Sequence, residues 1–366
     1  MSLVKEITTF LETIAPPAYQ ESYDNVGLIV GNPESKVSGV LITLDSTVEV
    51  IDEAISKGCN FIIAHHPIIF GGLKSITGKN YVEKTIIKAI KHDIAIFACH
   101  TNIDNILGGV SSKMAEVLGL KDVKILSPKK NKLTKLSFFA PNKSINTLLN
   151  ELHKVGIGKI GNYDDCSFCS IGVGSFTPNE IATPHIGQAK RHEKVEEIKA
   201  EVILPSHLEN IAISTLEKHH PYEEVSYFLT KLENKNQEVG SGAIGTLNEK
   251  IEIEHFFDLI KKTFNLNCIR HTPFHKKKVK KIAVCGGAGS FLLPTAIQQK
   301  ADVYISADFK YHEFFDAENK ITIADIGHFE SEVFTKQLFY ELLSKKFINI
   351  ALYLSEVETN PINLYI

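Results

Sequence analysis

The sequence predicts an α/β protein made of two duplicated three-layer α/β/α halves related by a pseudo-dyad, with a smaller α+β domain inserted between them. Apolar runs at residues 40–45, 61–64 and 94–99 alternate with amphipathic segments, an order typical of a largely parallel sheet covered on both faces. The same succession of strand, turn, helix and strand returns at residues 281–325. The predicted boundaries are 1–125 for the first half, 126–238 for the insert and 239–366 for the second half.

Composition narrows the class of protein. A chain of 366 residues exceeds one typical core, and 43% apolar with 23% charged residues is ordinary for a soluble globular protein. The net charge of −3 disfavours nucleic acid and membrane surfaces as partners, and no apolar run reaches membrane-spanning length. The first 16 residues carry charges at helical spacing and lack a signal-peptide core, so we expect a cytoplasmic location with six reduced cysteines.

The middle of the chain has its own pattern. Strands are predicted at residues 135–140, 166–176, 195–204 and 224–232, and helices at 144–155 and 207–219. The order β-α-β-β-α-β is that of the split, ferredoxin-like unit. Cys166 and Cys169 have the spacing of a redox or zinc motif, but they lie in an alternating strand without a second pair, which favours structural thiols.

The most informative stretch is Phe61–Ala64 followed by His65, His66 and Pro67. The apolar residues predict a buried strand, and proline cannot donate a hydrogen bond in a continued ladder. Ligands of open α/β sheets gather at the carboxyl ends of strands. Neighbouring side chains of a strand point to opposite faces, so each histidine would face a different ion of a pair. The alternative is a strand-end histidine pair with ordinary hydrogen bonds.

The duplication predicts that further ligands join this pair. Asp104 follows the next predicted strand, residues 94–99, as His65 and His66 follow theirs. His328 and Glu332 of the second half are spaced i, i+4, which places them on one face of a helix. A mixed nitrogen and oxygen set suits zinc, iron, manganese or nickel better than calcium. A carboxylate can bridge two ions about 3.5–4 Å apart that activate a water. The alternative is that these residues are helix caps and polar core residues.

Three other motifs are interpreted as structural features and not as further binding sites. Residues 286–289, Gly-Gly-Ala-Gly, lack the full dinucleotide fingerprint and are interpreted as a tight turn near the site. The lysines at 276–278 are interpreted as a solvated run. His219 and His220 form a second His-His-Pro motif in the insert, for which an interface or helix-end role is favoured over a second metal site.

Taken together, these motifs resemble a known family. Residues 24–28 (Asp-Asn-Val-Gly-Leu), 64–67 (Ala-His-His-Pro), 100–104 (His-Thr-Asn-Ile-Asp) and 325–332 (Asp-Ile-Gly-His-Phe-Glu-Ser-Glu) are similar to the Nif-three-like dinuclear metal-binding family. Its members are often labelled GTP cyclohydrolase type 2 homologues. The insert resembles the ferredoxin-like middle domain that only some members carry.

The resemblance implies two divalent metal ions per chain, of zinc, iron or manganese. It carries over five ligands, with Glu332 as the bridge: His65, His66, Asp104, His328 and Glu332. It also implies a toroidal homohexamer, a trimer of dimers, with the sites facing an inner cavity. One departure is Ala307, where many members have glycine; Asp308 and His312 remain.

Two function hypotheses follow. The first is a dinuclear metal-dependent hydrolase, similar to a GTP cyclohydrolase type 2, in which metal-bound hydroxide attacks a nucleotide-like small-molecule substrate. His312 or His100 would then move protons as the catalytic residues. The second is a metal-binding regulatory or partner-binding protein without turnover, favoured by an insert that adds surface but no evident catalytic group. DNA threaded through the ring is disfavoured by the net charge.

Overall fold

The computed structural model describes residues 2–365 and is a mixed α/β protein with several sheets. The chain divides into two compact units. Unit 1 comprises the chain up to Ser127 and from Val239 onward, and unit 2 comprises Pro128–Glu238. Along residues 2–365, every helix is too short or too polar to cross a bilayer.

The first part of unit 1 alternates strands and helices as the apolar pattern predicts. Thr47 and Asn80 cap two of these helices, because their side chains accept hydrogen bonds from the backbone N–H groups of Val50 and Glu83. The elements are α1 (Val4–Ile14), β1 (Gly27–Val30), β2 (Val40–Thr43), α2 (Val48–Ser56), β3 (Phe61–Ala64), α3 (Tyr81–Lys91), β4 (Ala95–Ala98), α4 (Thr101–Asp104), α5 (Val110–Val117) and β5 (Lys121–Pro128).

Unit 2 has the predicted succession of strands and helices. Its elements are β6 (Leu133–Ala140), α6 (Ile145–Lys154), β7 (Ser167–Phe176), β8 (Glu193–Pro205), α7 (Glu209–His219) and β9 (Tyr227–Leu232). The strands form one antiparallel sheet in the order β7-β8-β6-β9. Alternate residues of β6, namely Leu136, Phe138 and Ala140, pack with α6 and α7 into a core of their own, as period-two patterning requires.

The second part of unit 1 repeats the alternation. Its elements are β10 (Gly240–Glu252), α8 (Ile253–Thr263), β11 (Arg270–His271), β12 (Lys278–Ala288), α9 (Leu293–Gln298), β13 (Val303–Ala307), β14 (Thr322–Asp325), α10 (His328–Glu332), α11 (Thr335–Lys346) and β15 (Leu352–Leu354). A 3-10 helix, Tyr311–Ala317, connects β13 to β14.

Unit 1 contains two sheets with parallel centres. Their strand orders are β1-β4-β3-β2-β15 and β11-β14-β13-β12-β10-β5. In the first sheet, β2, β3 and β4 run parallel and every residue in them is buried. In the second sheet, β12, β13 and β14 also run parallel. The parallel direction brings the carboxyl ends of β2, β3 and β4 to one edge of the first sheet, where the predicted histidine pair lies.

Each part of unit 1 contributes a strand to the other part's sheet. β5 joins the sheet of β10–β14, and β15 pairs in parallel with β2. The helix α5 lies between the sheets, because Val110 packs into the core of the first and Met114 into the core of the second. The two sheets are thereby held in one unit, which fixes the strand ends of both relative to each other.

Candidate metal centre

His65 and His66 lie where β3 leaves its ladder. Both backbone N–H groups donate to the carbonyl of Leu44, at 3.1 and 2.9 Å, so the chain has turned away from β4 at this point. His65 is fully buried, and the two imidazole rings lie 4.8 Å apart, inclined by 47°. The turn therefore lets adjacent side chains face a common space, which a continuing strand would forbid.

Asp104, His328 and Glu332 come to the same space from α4 and α10. The Nε2 atom of His65 lies 3.7 Å from Asp104 Oδ1 and 3.7 Å from Glu332 Oε1. Glu332 Oε2 lies 3.0 Å from His66 Nε2 and 3.1 Å from His328 Nε2. The structure thus brings together all five side chains that the sequence singled out as ligands.

The carboxylate of Glu332 divides these side chains into two groups. One oxygen faces His65, and the other faces His66 and His328. Ligand atoms that share an ion at bond lengths of about 2.0–2.2 Å lie about 3 Å or slightly more apart, and the shorter two distances meet that requirement. His66, His328 and Glu332 form one group able to hold a metal, and His65, His66 and His100 form another.

An acceptor on Nδ1 orients every imidazole of the site. A neutral ring that donates from Nδ1 keeps the lone pair of Nε2 for a metal, and such outer partners are the usual companions of metal-binding histidines. The pairs are His65 with the Cys99 carbonyl (2.9 Å), His66 with Asp45 (2.8 Å), His100 with Asp24 (2.8 Å) and His328 with Asp308 (2.6 Å).

Several buried atoms of the site have no hydrogen-bond partner. They are His65 Nε2, His66 Nε2, Asp104 Oδ1 and Glu332 Oε2. Although His66 Nε2 and Glu332 Oε2 are close, their geometry is not that of a hydrogen bond. Lone pairs buried without donors are costly, and a divalent cation with nitrogen and oxygen ligands removes that cost. The residues present therefore fit a metal of this class.

The pKa shifts of the site residues also fit a metal centre. Burial and the neighbouring carboxylate of Glu332 raise the pKa of Asp104. Burial also acts to raise the pKa of Glu332, but the surrounding histidines outweigh it and hold that pKa well below its usual range. Burial lowers the pKa of His65 to about 4, which keeps its ring neutral at pH 7. A neutral ring is the form that binds metal.

The pKa values of His66 and His328 are raised, whereas that of His65 is lowered. Burial acts to lower the pKa of His66, but Asp45 and Glu332 outweigh it and raise that pKa to about 10. The pKa of His328 rises to about 9 against burial, through Glu332 and Asp308. Protons on His66 and His328 thus supply positive charge where a cation would lie, and a metal that bound there would release them.

A cavity of about 450 Å³ opens onto this cluster, and His66, Asp104, His328 and Glu332 lie in its wall. The turn of residues 286–289 forms part of the wall. Gly287 has φ +63°, and a Cβ there would lie 2.3 Å from Glu332 Oε1. The glycines therefore let the backbone approach the shared carboxylate, which agrees with the interpretation of this motif as a tight turn at the site.

The chain is similar to known proteins over nearly its whole length. The family model described as Duf34/NIF3 (NGG1p interacting factor 3) matches residues 2–361. The curated protein named "GTP cyclohydrolase 1 type 2 homolog" of Bacillus subtilis is 36% identical over 363 residues, 98% of this chain and 97% of the relative. The protein of the same name from Halalkalibacterium halodurans is 37% identical over 360 residues, 97% of each chain.

The chain belongs to the DUF34/NIF3 family. The recognition made from the sequence motifs is therefore confirmed. Among solved structures, a Bacillus cereus protein related to NIF3 matches with a TM-score of 0.86 and 36% identity, covering 100% of this chain and 99% of the other. The Staphylococcus aureus protein SA1388 matches with a TM-score of 0.79 and 30% identity, at the same coverage.

The two histidines predicted to move protons lie in different places. The ring of His100 is 5.2 Å from those of His65 and His66, and it lines the cavity. His312 lies exposed on the 3-10 helix after β13, where its ring contacts Tyr311 and Phe315, and it does not line the cavity. Within this chain, His100 is the histidine that geometry brings to the cluster.

Sequence reasoning missed the carboxylates behind the rings. The sequence places Asp24 in a motif, Asp45 at the end of an apolar run and Asp308 beside Ala307, but it predicts no contact of any of them with a histidine. Asp308 has φ +58°, a left-handed conformation that carries its carboxylate onto His328. The sequence signal for Asp45 is its position directly after an apolar strand, but the pairing of that strand with β3, which brings Asp45 to His66, is not a local feature.

Proposed function

We propose that this protein is a dinuclear metal-dependent hydrolase acting on a nucleotide-like substrate. Two divalent ions, of zinc, iron or manganese, would be held by His65, His66, Asp104, His328 and Glu332. The observation that carries the proposal is the carboxylate of Glu332, one oxygen of which faces His65 while the other faces His66 and His328. A single carboxylate shared in this way is what a pair of closely spaced ions requires.

Bound ions would supply Lewis acidity and an activated water at the cavity wall. The chain's own part is to orient the ligands through the Nδ1 hydrogen bonds and to handle protons. His100 is the stronger candidate for proton transfer, because its ring faces the cluster and its Nδ1 is hydrogen-bonded to Asp24. His312 is the weaker candidate, since its neighbours in this chain are Tyr311 and Phe315.

The test is turnover across a panel of purine and pyrimidine nucleotides, nucleosides and bases, with metal content measured in parallel. The names of the curated relatives make GTP the first compound to try. Activity should disappear on chelation, return with metal, and be lost in His65→Ala. His100→Gln should lose most of the turnover while keeping metal, and His312→Gln should retain it. A fully metal-loaded protein inert toward the whole panel contradicts the proposal.

The organisation of the chain forms part of the proposal. A parallel centre with a short antiparallel edge strand, β1 or β11, occurs in both sheets of unit 1, and the exchange of β5 for β15 is reciprocal. These features support two duplicated halves, 1–125 and 239–366. The order β7-β8-β6-β9 supports a ferredoxin-like insert at 126–238. The resemblance further suggests a toroidal hexamer, and the proposed location is the cytoplasm. Light scattering at six chain masses would support the hexamer, and a monomer would not.

A second candidate function is partner binding without turnover. It is favoured by β7, an edge strand of unit 2 that exposes apolar side chains: Phe168 is 67%, Ile171 73% and Val173 72% exposed. Exposed edge strands with apolar residues are ready sites for pairing with another chain. If this is the function, a chain without residues 128–238 should keep its metal but lose its partner. The full-length protein should then convert none of the compounds in the nucleotide panel.

A further inference from the structure

The wall of the metal-facing cavity has an unusual charge composition for a nucleotide site. Four carboxylates line it, those of Glu21, Asp45, Asp104 and Glu332. Among residues 2–365, no lysine or arginine does so. Phosphate groups are normally bound by arginine, lysine or the N-terminus of a helix, which supply charge-assisted hydrogen bonds, or by a divalent ion that their oxygens coordinate. This wall offers none of those side chains to a triphosphate.

Two bound divalent ions would not reverse this balance. Their four positive charges equal the charge of the four carboxylates in the wall, and Asp24 and Asp308 add two more negative charges behind His100 and His328. A triphosphate, with about four negative charges at neutral pH, would meet a site without positive excess. Electrostatics therefore favours an uncharged occupant.

The rim of the cavity is aromatic. Tyr23, Phe70 and Phe291 line it and come from three separate segments of unit 1. They are 68%, 53% and 65% exposed, although aromatic rings ordinarily lose far more of their surface on folding. The ring of Phe70 lies 5.8 Å from that of His100, at the edge of the cluster. Aromatic faces of this kind stack on the planar face of any base.

We infer that the cavity takes a planar, uncharged heterocycle of nucleobase or nucleoside size, recognised by stacking, and that it discriminates against the triphosphorylated form. The inference rests on the proposed function and narrows its substrate class. The cavity volume of about 450 Å³ lies within the range of small-molecule sites. Neutral groups in the wall, such as Ser111 and Ser241, are available for hydrogen bonds to the edge of a ring.

Equilibrium binding tests this without requiring turnover. The metal-loaded protein is dialysed against guanosine and against GTP, at about 50 and about 300 mM salt. We expect guanosine to bind at least as tightly as GTP, with an affinity that salt leaves unchanged, since no counterions are released. GTP bound tenfold more tightly than guanosine, with affinity falling as salt rises, would overturn the inference, as would the absence of guanosine binding.

Matched variants identify the residues responsible. Phe291→Ala should weaken guanosine binding about tenfold, the effect of one lost stacking face. Phe315→Ala is the control, because Phe315 is also 65% exposed but lies outside the cavity. Equal effects of the two changes overturn the assignment to the cavity.

A third variant adds the missing charge. Ile362 lines the cavity and is 64% exposed, so Ile362→Lys places a cation there at little structural risk. It should raise the affinity for GTP several-fold relative to that for guanosine, in a salt-dependent manner; no relative gain for GTP would overturn the charge argument. Guanosine bound as expected but never converted would instead contradict the hydrolase proposal and leave this inference standing.

Discussion

Glu332 is the residue on which the proposed site depends most. It is 2% exposed, and its two oxygens face different imidazole groups. We expect Glu332→Gln to lose at least one metal ion per chain, because the amide keeps one acceptor oxygen but removes the negative charge that two cations would share. The fold should survive, since the cores of both sheets are apolar. Metal analysis of the purified variant checks the expectation.

The control for this change is two residues away on the same short helix. The Oε1 atom of Glu330 accepts a hydrogen bond from the side-chain amide of Asn360 at 3.0 Å and does not line the cavity. Glu330→Gln should therefore keep the metal content of the parent protein. Equal metal in Glu332→Gln and the parent would rule out the bridging role.

Asp45 tests whether the outer carboxylates matter. Its Oδ1 accepts the Nδ1 proton of His66 at 2.8 Å, and its Oδ2 accepts a hydrogen bond from Thr359 at 2.6 Å. Asp45→Asn should weaken metal affinity about 10- to 100-fold, the usual cost of losing such a partner. Competition with a chromogenic chelator measures this. Asp52→Asn, on the surface of α2 where Asp52 pairs with Lys88, should leave the affinity unaltered; if it does not, the effect at Asp45 is one of general charge.

The proposed ligands could be predicted from the sequence, whereas the carboxylates that hydrogen-bond to the histidines could not. His65, His66, Asp104, His328 and Glu332 follow apolar runs, so their positions at strand ends could be read from local patterning. The pairing of Asp45 with His66 spans 21 residues and depends on the alignment of β2 with β3. Asp308 reaches His328 only through a left-handed backbone. Local patterns carry neither kind of information.

His220, at the C-terminal end of α7, contacts β6 and accepts a pH-sensitive hydrogen bond from Tyr222. His220 donates from Nε2 to the carbonyl of Phe139 in β6, and its Nδ1 accepts the N–H of Tyr222. The contact with Tyr222 needs the neutral ring, because a protonated Nδ1 cannot accept a hydrogen bond, whereas donation from Nε2 to Phe139 survives protonation. Burial lowers the pKa of His220 in the folded protein, so the unfolded chain binds the proton more readily. The contribution to stability is therefore complete above pH 6.5 and declines as the pH falls below it.

We accordingly expect α7 and β6 to lose protection from hydrogen exchange between pH 7.5 and 5.5, after correction for the intrinsic pH dependence of exchange. The decline should be smaller in His220→Gln. His207, whose pKa burial also lowers, would supply the remainder. The adjacent His219 is exposed and bonds only to the Thr215 carbonyl of its own helix, so His219→Gln should behave as the parent does. A parent protein with equal protection at both pH values contradicts the role of His220.

The elements themselves were predictable where they are long and buried. The strands β2, β3 and β4 are apolar throughout, and the amphipathic helices α1, α3 and α8 have clear periodicity. No element was assigned to residues 335–354, where α11 and β15 lie. β15 has three residues, too few for a period, and the first half of β5 is exposed. The exchange of these strands is a tertiary pairing and leaves no local signal.

For the whole molecule, the point of insertion of unit 2 decides whether unit 1 can stand without it. Gly245 lies against Lys121, and Gly242 lies against Leu126, so β5 and β10 run in opposite directions as neighbours. Extending that register places Ser127 beside Gly240, at the open end of a hairpin. The four cores of unit 1 are built from its own residues, and unit 2 has a separate core. A connection of two or three residues can therefore replace the insert geometrically.

We predict that a chain in which Asn-Gly replaces residues 128–238 folds and binds the same amount of metal as the parent. Asn-Gly and Val239 then form a three-residue connection between Ser127 and Gly240, a common hairpin length in which glycine supplies a positive φ. Closing a short loop also costs less entropy than closing the long one that it replaces. Every proposed ligand lies in unit 1. Metal analysis and circular dichroism check the result, with the same replacement carrying Glu332→Gln as the control for non-specific metal. An insoluble or metal-free product would mean that unit 2 is required to build the site.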